Sequence, residues 1–303
     1  MADARVNFQD LSSGGGIYAY GTVTIQGATI SNNTAETYGG GIICKTNCTM
    51  SSGTISSNST TTYDGAGVRV DGTFTLSGGS ITTNSSGRHG GGISTNGNTI
   101  NVSGGSIIKN TAANYGGGIV ATNANSSLTI TGGTIGGSST NKNTSDNVGG
   151  GIFLAGTGSI QNATISYNVA TSSGGGIYVY DGATLTVKTG TVISTNTSNA
   201  DGTNSKWGGG GIATNGTVSM TGGTIVSNKA PNGKGGGVRI GGNGSFTLSG
   251  SSNSIIKKNT ASSDGGISVH SSGTYTRSSG LVCKNNSPTN SYDITATTNT
   301  NCS

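Results

Sequence analysis

The chain has 303 residues, 58 of them Gly, with 15 basic and 10 acidic side chains and a formal charge of +5. So thin a basic excess, spread along the whole length, excludes a nucleic-acid track, and no run of about 18 apolar residues exists that would cross a membrane as a helix. Much Gly with few charges can mark disorder, but disordered chains lack aliphatic residues at fixed offsets, and this one has them throughout.

The opening Met1-Ala2-Asp3-Ala4-Arg5 has no hydrophobic signal core. Val6, Phe8 and Leu11 read as the closing part of a coil, so residues 1–13 are expected to be an N-terminal cap or partial coil. A start partway through a repeat suggests a segment cut from a longer secreted chain. At Gly14-Gly15-Gly16-Ile17 the repeat proper begins. It returns from Gly39-Gly40-Gly41-Ile42 and Gly65-Ala66-Gly67-Val68 onward to the shortened Gly265-Gly266-Ile267. The steps between the aliphatic residues are 25, 26, 25, 26, 33, 25, 35, 26 and 29. A period near 25 that persists over the whole chain means a solenoid rather than two ordinary domains.

Within the first repeat, Ile17 and Ala19 alternate with outward residues, Val23 and Ile25 follow Gly21, and Ile30 follows Gly27. These period-2 runs bounded by Gly read as three strands separated by tight turns. Stacking equivalent strands gives three inward columns. The first is Ile17, Ile42, Val68, Ile93, Ile119, Ile152, Ile177, Ile212, Val238 and Ile267. The second is Val23, Cys48, Phe74, Ile100, Leu128, Ile160, Leu185, Val218, Phe246 and Tyr275. The third is Ile30, Ile55, Ile81, Ile107, Ile135, Ile165, Ile193, Ile225, Ile256 and Val282.

The expected fold is an all-β, right-handed parallel β-helix, since parallel crossovers are right-handed. It has about ten coils of about 25 residues with three strands each, over residues 14–286, and a C-terminal cap or tail over 287–303. At a strand spacing of about 4.8 Å the rod is roughly 50 Å long.

An Asn follows the third column: Asn33, Asn58, Asn84, Asn110, Asn143, Asn168, Asn196, Asn228, Asn259 and Asn285, with Asn143 delayed by an insertion. Asn tolerates left-handed backbone conformations and its stacked amides can bond along the axis as a ladder. Gly at the next corner supplies positive φ.

The pairing of Gly-Gly-Gly-Ile with Ile-x-x-Asn, as in Gly39-Gly40-Gly41-Ile42 with Ile55-Ser56-Ser57-Asn58, resembles the repeats of chlamydial polymorphic outer-membrane proteins and related adhesin-like β-helices. The resemblance covers roughly residues 14–286 and implies a β-helix with an extracellular, adhesion-type role.

Catalysis is not expected. Polysaccharide lyases and hydrolases on β-helices need clustered carboxylates, whereas Asp71 and Asp181 sit in Asp-Gly turns four coils apart, roughly 19 Å along the axis. Asp64 and Asp264 are farther apart still, and all read as turn residues. His89 and His270 lack a neighbouring Cys or second His in the sequence, so no metal site or triad is expected. The glycines do not form a phosphate-binding motif, and no cofactor is expected.

Cys44 and Cys48 flank one corner and either close a small disulfide or stay buried as thiols. Cys283 and Cys302 would tie the tail to the last coil, and either bond would imply an oxidising compartment. Outward Thr-x-Thr pairs such as Thr73 and Thr75, or Thr184 and Thr186, resemble an ice-binding array, broken at Asn47, Asn101, Ser159-Ile160-Gln161 and Arg277. Insertions near 136–142 and 197–207 supply Lys142, Asp146, Asp201, Lys206 and Trp207, a candidate glycan or protein contact on a rigid scaffold, or plain surface decoration.

The expected function is a non-catalytic, extracellular or cell-surface structural or adhesive β-helix. Its partners would be itself, by head-to-tail stacking through open strand edges, or a cell-surface glycan or protein. An ice- or glycan-binding solenoid is the alternative, with a polysaccharide enzyme or phage tail spike behind it.

Overall fold

The computed structural model describes residues 13–200, 208–250, 253–283 and 285–289. A three-residue strand cannot bury its own aliphatic side chain, and the chain solves this by stacking one rung on the next. Three ten-stranded parallel sheets and a fourth of nine strands result, with no α-helix among the described residues. The chain is therefore an all-β parallel β-solenoid of about nine turns. The first sheet runs from Ile17–Ala19 to Ile267–Val269, the second from Val23–Ile25 to Thr274–Arg277, and the third from Thr29–Ser31 to Leu281–Val282.

The first and third columns align in register over every rung, as in Ile42↔Val68 and Ile55↔Ile81. β-Branched Ile suits the pleated strand, and Ile42, Ile55, Ile81, Ile93 and Ile107 are fully buried. Each such side chain contributes about 1.5–3 kcal/mol over an exposed one. Further inward columns fill the remaining space: Ile25, Met50, Leu76, Val102 and Ile130 in the second sheet, and Ala19, Cys44, Val70, Thr95 and Ala121 in the first.

Four sequence expectations need correction. The second column passes through Gly158, which pairs Leu128 and Leu185, while Ile160 pairs Ile130 and Val187. The chain tolerates Gly at this inward position because Leu154 and Leu185 occupy the vacant space; a Cβ there would lie 2.6 and 3.0 Å from them. The fourth sheet, from Thr34–Ala35 to Thr260–Ser263, adds a strand to each coil after the ladder Asn. Its inward residues are small, such as Ala35, Thr60, Ser86 and Ala112, all buried.

The ladder itself runs from Asn33 to Asn259 as expected but ends on Asn286, not Asn285. Asn286 Nδ2 donates to the Ile256 and Cys283 carbonyls, whereas Asn285 is exposed and accepts the Lys258 N–H. Finally, the left-handed residue precedes the ladder Asn instead of being it in eight rungs: Asn32, Ser57, Thr83, Lys109, Tyr167, Thr195, Ser227 and Lys258 all have φ between 55° and 60°.

Ladder and Gly triplet are one device. Gly65 opens its triplet with φ 73°. A Cβ on Gly67, the third residue, would stand 2.5 Å from the Gly92 carbonyl and 3.0 Å from Asn84 Nδ2. The turn can lie on the amide ladder only without a side chain there.

The second sheet presents two outward ranks. One is Asn47, Thr73, Thr99, Ser127, Thr157, Thr184, Thr217, Ser245 and Thr274; the other is Thr24, Thr49, Thr75, Asn101, Thr129, Ser159, Thr186, Ser219, Thr247 and Thr276. With Gly158 in its proper place, Thr157 and Ser159 continue the ranks, and Arg277 belongs to an inward column opposite Leu248. Two of the four expected breaks thus disappear, leaving Asn47 and Asn101.

Cys44 and Cys48 form a disulfide, settling the choice left open by the sequence. Cys283 is disulfide-bonded as well; Cys302 lies outside the described residues. Ser287 and Pro288 extend the pairing of the fourth sheet through Ser287↔Thr260 and a Gly265 N–H to Pro288 carbonyl bond.

Candidate ligand-binding groove

The middle residue of each first-sheet strand points away from the spine, yet Ile43, Ser94, Val120, Phe153, Ala213, Arg239 and Ser268 are all buried. The cover comes from residues just before the Gly triplet: Tyr38, Asp64, His89, Tyr115 and Val148, joined rung to rung by backbone hydrogen bonds such as Gly39 N–H to the Asp64 carbonyl. The tight triplet turn folds this column against the outer face of the first sheet. The two columns make a re-entrant groove parallel to the axis.

Aromatic rings fill its centre. His89 stacks on Tyr115 at 4.5 Å, Tyr115 on Phe153 at 4.8 Å and Phe153 on Tyr178 at 5.6 Å, with interplanar angles of 4°, 8° and 9°. Val120, Val148 and Ala155 pack around them as an apolar cluster separate from the spine. Burial holds the His89 imidazole below its ordinary pKa and raises the Tyr178 phenol.

One end of the groove is charged. Arg88 grips Asp64 with two hydrogen bonds of 2.8 Å, Arg69 reaches Asp64 at 3.6 Å and Asp71 at 2.8 Å, and Lys45 meets Asp71 at 2.6 Å. Each guanidinium also lies 4.6 Å from a tyrosine ring, Arg69 over Tyr38 and Arg88 over Tyr63. Bidentate Arg–carboxylate geometry and cation–π contact make this a rigid, internally satisfied network. Burial works against the Asp71 carboxylate, but the Lys45 and Arg69 bonds outweigh it and leave its pKa lowered. Asp64 and Asp71 are therefore ion-pair anchors, not the simple turn residues the sequence suggested.

At the other end a cavity of about 340 Å³ opens beside Tyr178, with Ser173, Ala213, Asn215, Arg239, Gly241 and His270 around it. Asn215 donates to the Tyr178 hydroxyl at 2.8 Å, and Arg239 to Ser268 at 3.3 Å. The volume is within the range of small-molecule pockets, and it combines an aromatic wall with fixed polar groups. His270, unpromising in the sequence, is part of its rim and bonds Ser272 at 3.0 Å.

The insertion residues lie elsewhere. Lys142 and Asp146 are exposed on either side of the strand Thr144–Ser145, beyond the ladder Asn143. The first insertion leaves between Thr134–Gly136 and that strand, the second after Thr197–Ser198, so they depart from opposite ends of the fourth-sheet strand. Asp201, Lys206 and Trp207 are outside the described residues. Among the described residues no three His, Cys, Asp or Glu side chains gather as metal ligands.

The groove was hidden in the sequence because its members are 25 or more residues apart and its apolar residues occupy outward positions. The only available hint was an aromatic or charged residue recurring before the Gly triplet, in Tyr38, Asp64, His89 and Tyr115. No family profile, curated protein or solved structure matches the chain.

Proposed function

We propose that this chain is a non-catalytic, extracellular adhesive solenoid that holds a glycan along the groove of its first sheet. The observation that carries this reading is the continuity of the stacked rings from His89 to Tyr178 with the polar-rimmed cavity. Sugar rings offer apolar faces that pack on aromatic side chains, while their hydroxyls take hydrogen bonds from groups such as Asn215 and His270. Burial of the disulfide between Cys44 and Cys48 is in keeping with an oxidising compartment. The likeness of the Gly-Gly-Gly-Ile and Ile-x-x-Asn motifs to chlamydial surface-protein repeats supports the same role, as part of a larger surface adhesin.

A glycan array probed with the purified chain tests the proposal. The expected result is binding to a defined set of glycans, weakened at least about tenfold, or roughly 1.4 kcal/mol, by Tyr178→Ala. The variant should keep the β-rich circular dichroism spectrum of the parent. An array without hits, or hits indifferent to Tyr178→Ala, would overturn it.

A further inference from the structure

We propose that the outer face of the second sheet is an ice-binding surface, a function separate from the groove. The two outward ranks consist of Thr and Ser apart from Asn47 and Asn101, with neither charge nor aromatic ring among them. Register is constant from rung to rung, so the hydroxyls form a grid with about 4.8 Å between rungs and about 6.6 Å between ranks. Isolated sheets twist, but side-chain ladders flatten them, and here the amide ladder and the spine hold every rung in the same alignment.

A second observation concerns the hydroxyls themselves. Elsewhere on the surface they bond one another across rungs, as in Ser106 to Ser80 and Thr111 to Ser85. Among the described residues, no side-chain hydrogen bond engages Thr75, Thr129, Thr186 or Thr247, and their donors and acceptors face solvent uncommitted. The grid is repetitive, uncharged and rich in both donors and acceptors.

These properties are complementary to the surface of an ice crystal, itself a neutral, periodic lattice of donors and acceptors with similar repeats. A charged face would retain its own hydration shell against such a surface. A neutral one can share ordered bridging water with the lattice, each bridge nearly as favourable as a direct hydrogen bond. The Thr methyl groups lie between the hydroxyls and add apolar contact. A crystalline polysaccharide would instead be met by aromatic platforms, of which these ranks have none.

Thermal hysteresis and ice-recrystallisation inhibition, measured on the whole chain, decide the matter. Activity is expected for the parent, with most of it lost in the double variant Thr75→Tyr/Thr129→Tyr, whose rings would stand out from the flat face. Thr82→Tyr on the third sheet should retain it, as should Tyr178→Ala in the groove, and circular dichroism should show all variants folded. Absence of activity in the parent, full activity in the double variant, or equal loss in the Thr82 control would each overturn the proposal. So would binding to crystalline chitin or cellulose without any effect on ice, which would reassign the face.

Discussion

Asn84 donates an Nδ2 hydrogen to Asn110 Oδ1 at 3.0 Å, and the same oxygen accepts the Asn84 backbone N–H at 3.0 Å. One amide thus holds both the side chain and the main chain of the rung before it. The second Nδ2 hydrogen goes to the Ile55 carbonyl, also at 3.0 Å, so the side chain spans three rungs without leaving a polar group orphaned.

Replacing Asn84 by Ala would leave the Asn58 N–H and one Asn58 amide hydrogen without partners in a dry interior, and would remove the side-chain bond to the Ile55 carbonyl. At roughly 1–3 kcal/mol for each buried polar group left unmade, the expected loss is about 3 kcal/mol or more in chemical denaturation. A loss under about 1 kcal/mol would mean that water replaces the amide.

Gly67→Ala attacks the same device from the other side. The added methyl would meet the Gly92 carbonyl at 2.5 Å and Asn84 Nδ2 at 3.0 Å, and backbone cannot swing aside as a side chain can. The melting temperature should fall by several degrees, reflecting a cost of at least about 1–3 kcal/mol. Gly21→Ala, where a Cβ would meet nothing within 4 Å, is the control and should be near neutral.

Thr83 is a β-branched residue held at φ 59° and exposed to solvent. The left-handed conformation costs an L-residue roughly 1–2 kcal/mol and Asn less, because its short polar side chain can bond locally. Thr83→Asn should therefore stabilise the fold by about 0.5–1 kcal/mol, read as a raised denaturation midpoint with unchanged slope. A lowered midpoint would refute the assignment of strain to this position.

Stability should decline in two stages on acidification. His89 is kept neutral by burial, with its folded pKa lowered, so its contribution is complete above the unfolded value of about 6.5 and falls as the pH drops below it. Asp71 is also lowered, by its Lys45 and Arg69 partners acting against burial, so its contribution is present above about pH 4 and is lost as the pH falls through its folded value. Thermal melts between neutral and strongly acid pH should show both stages. His89→Phe, which retains a ring on Tyr115, should remove the first stage and leave the second; persistence of the first would exclude His89 as its source.

How far the sequence disclosed this arrangement depended on side-chain size. The Ile columns were readable because a large β-branched residue recurs at one offset, and Asn33 to Asn259 because each, apart from Asn143, stands three residues after the third-column Ile. Gly158 broke the second column, since an empty inward position has no hydrophobic mark and Ile160 stood nearby. Ala35, Thr60 and Ser86 concealed the fourth sheet because small, partly polar inward residues resemble loop. The groove escaped because Phe153 and Val120 gain their burial from residues in other rungs, a relation that alternation within one strand cannot express.

Between Ile135 and Asn143 the chain takes on extra residues, yet Asn143 still receives the Asn110 amide at 3.1 Å and donates to Asn168 at 2.9 Å. Length at that bend is uncoupled from the alignment of the coils above and below. A foreign peptide grafted there should ride outside the rod as a passenger, and descendants of one ancestral coil are free to diverge at that bend while remaining stackable.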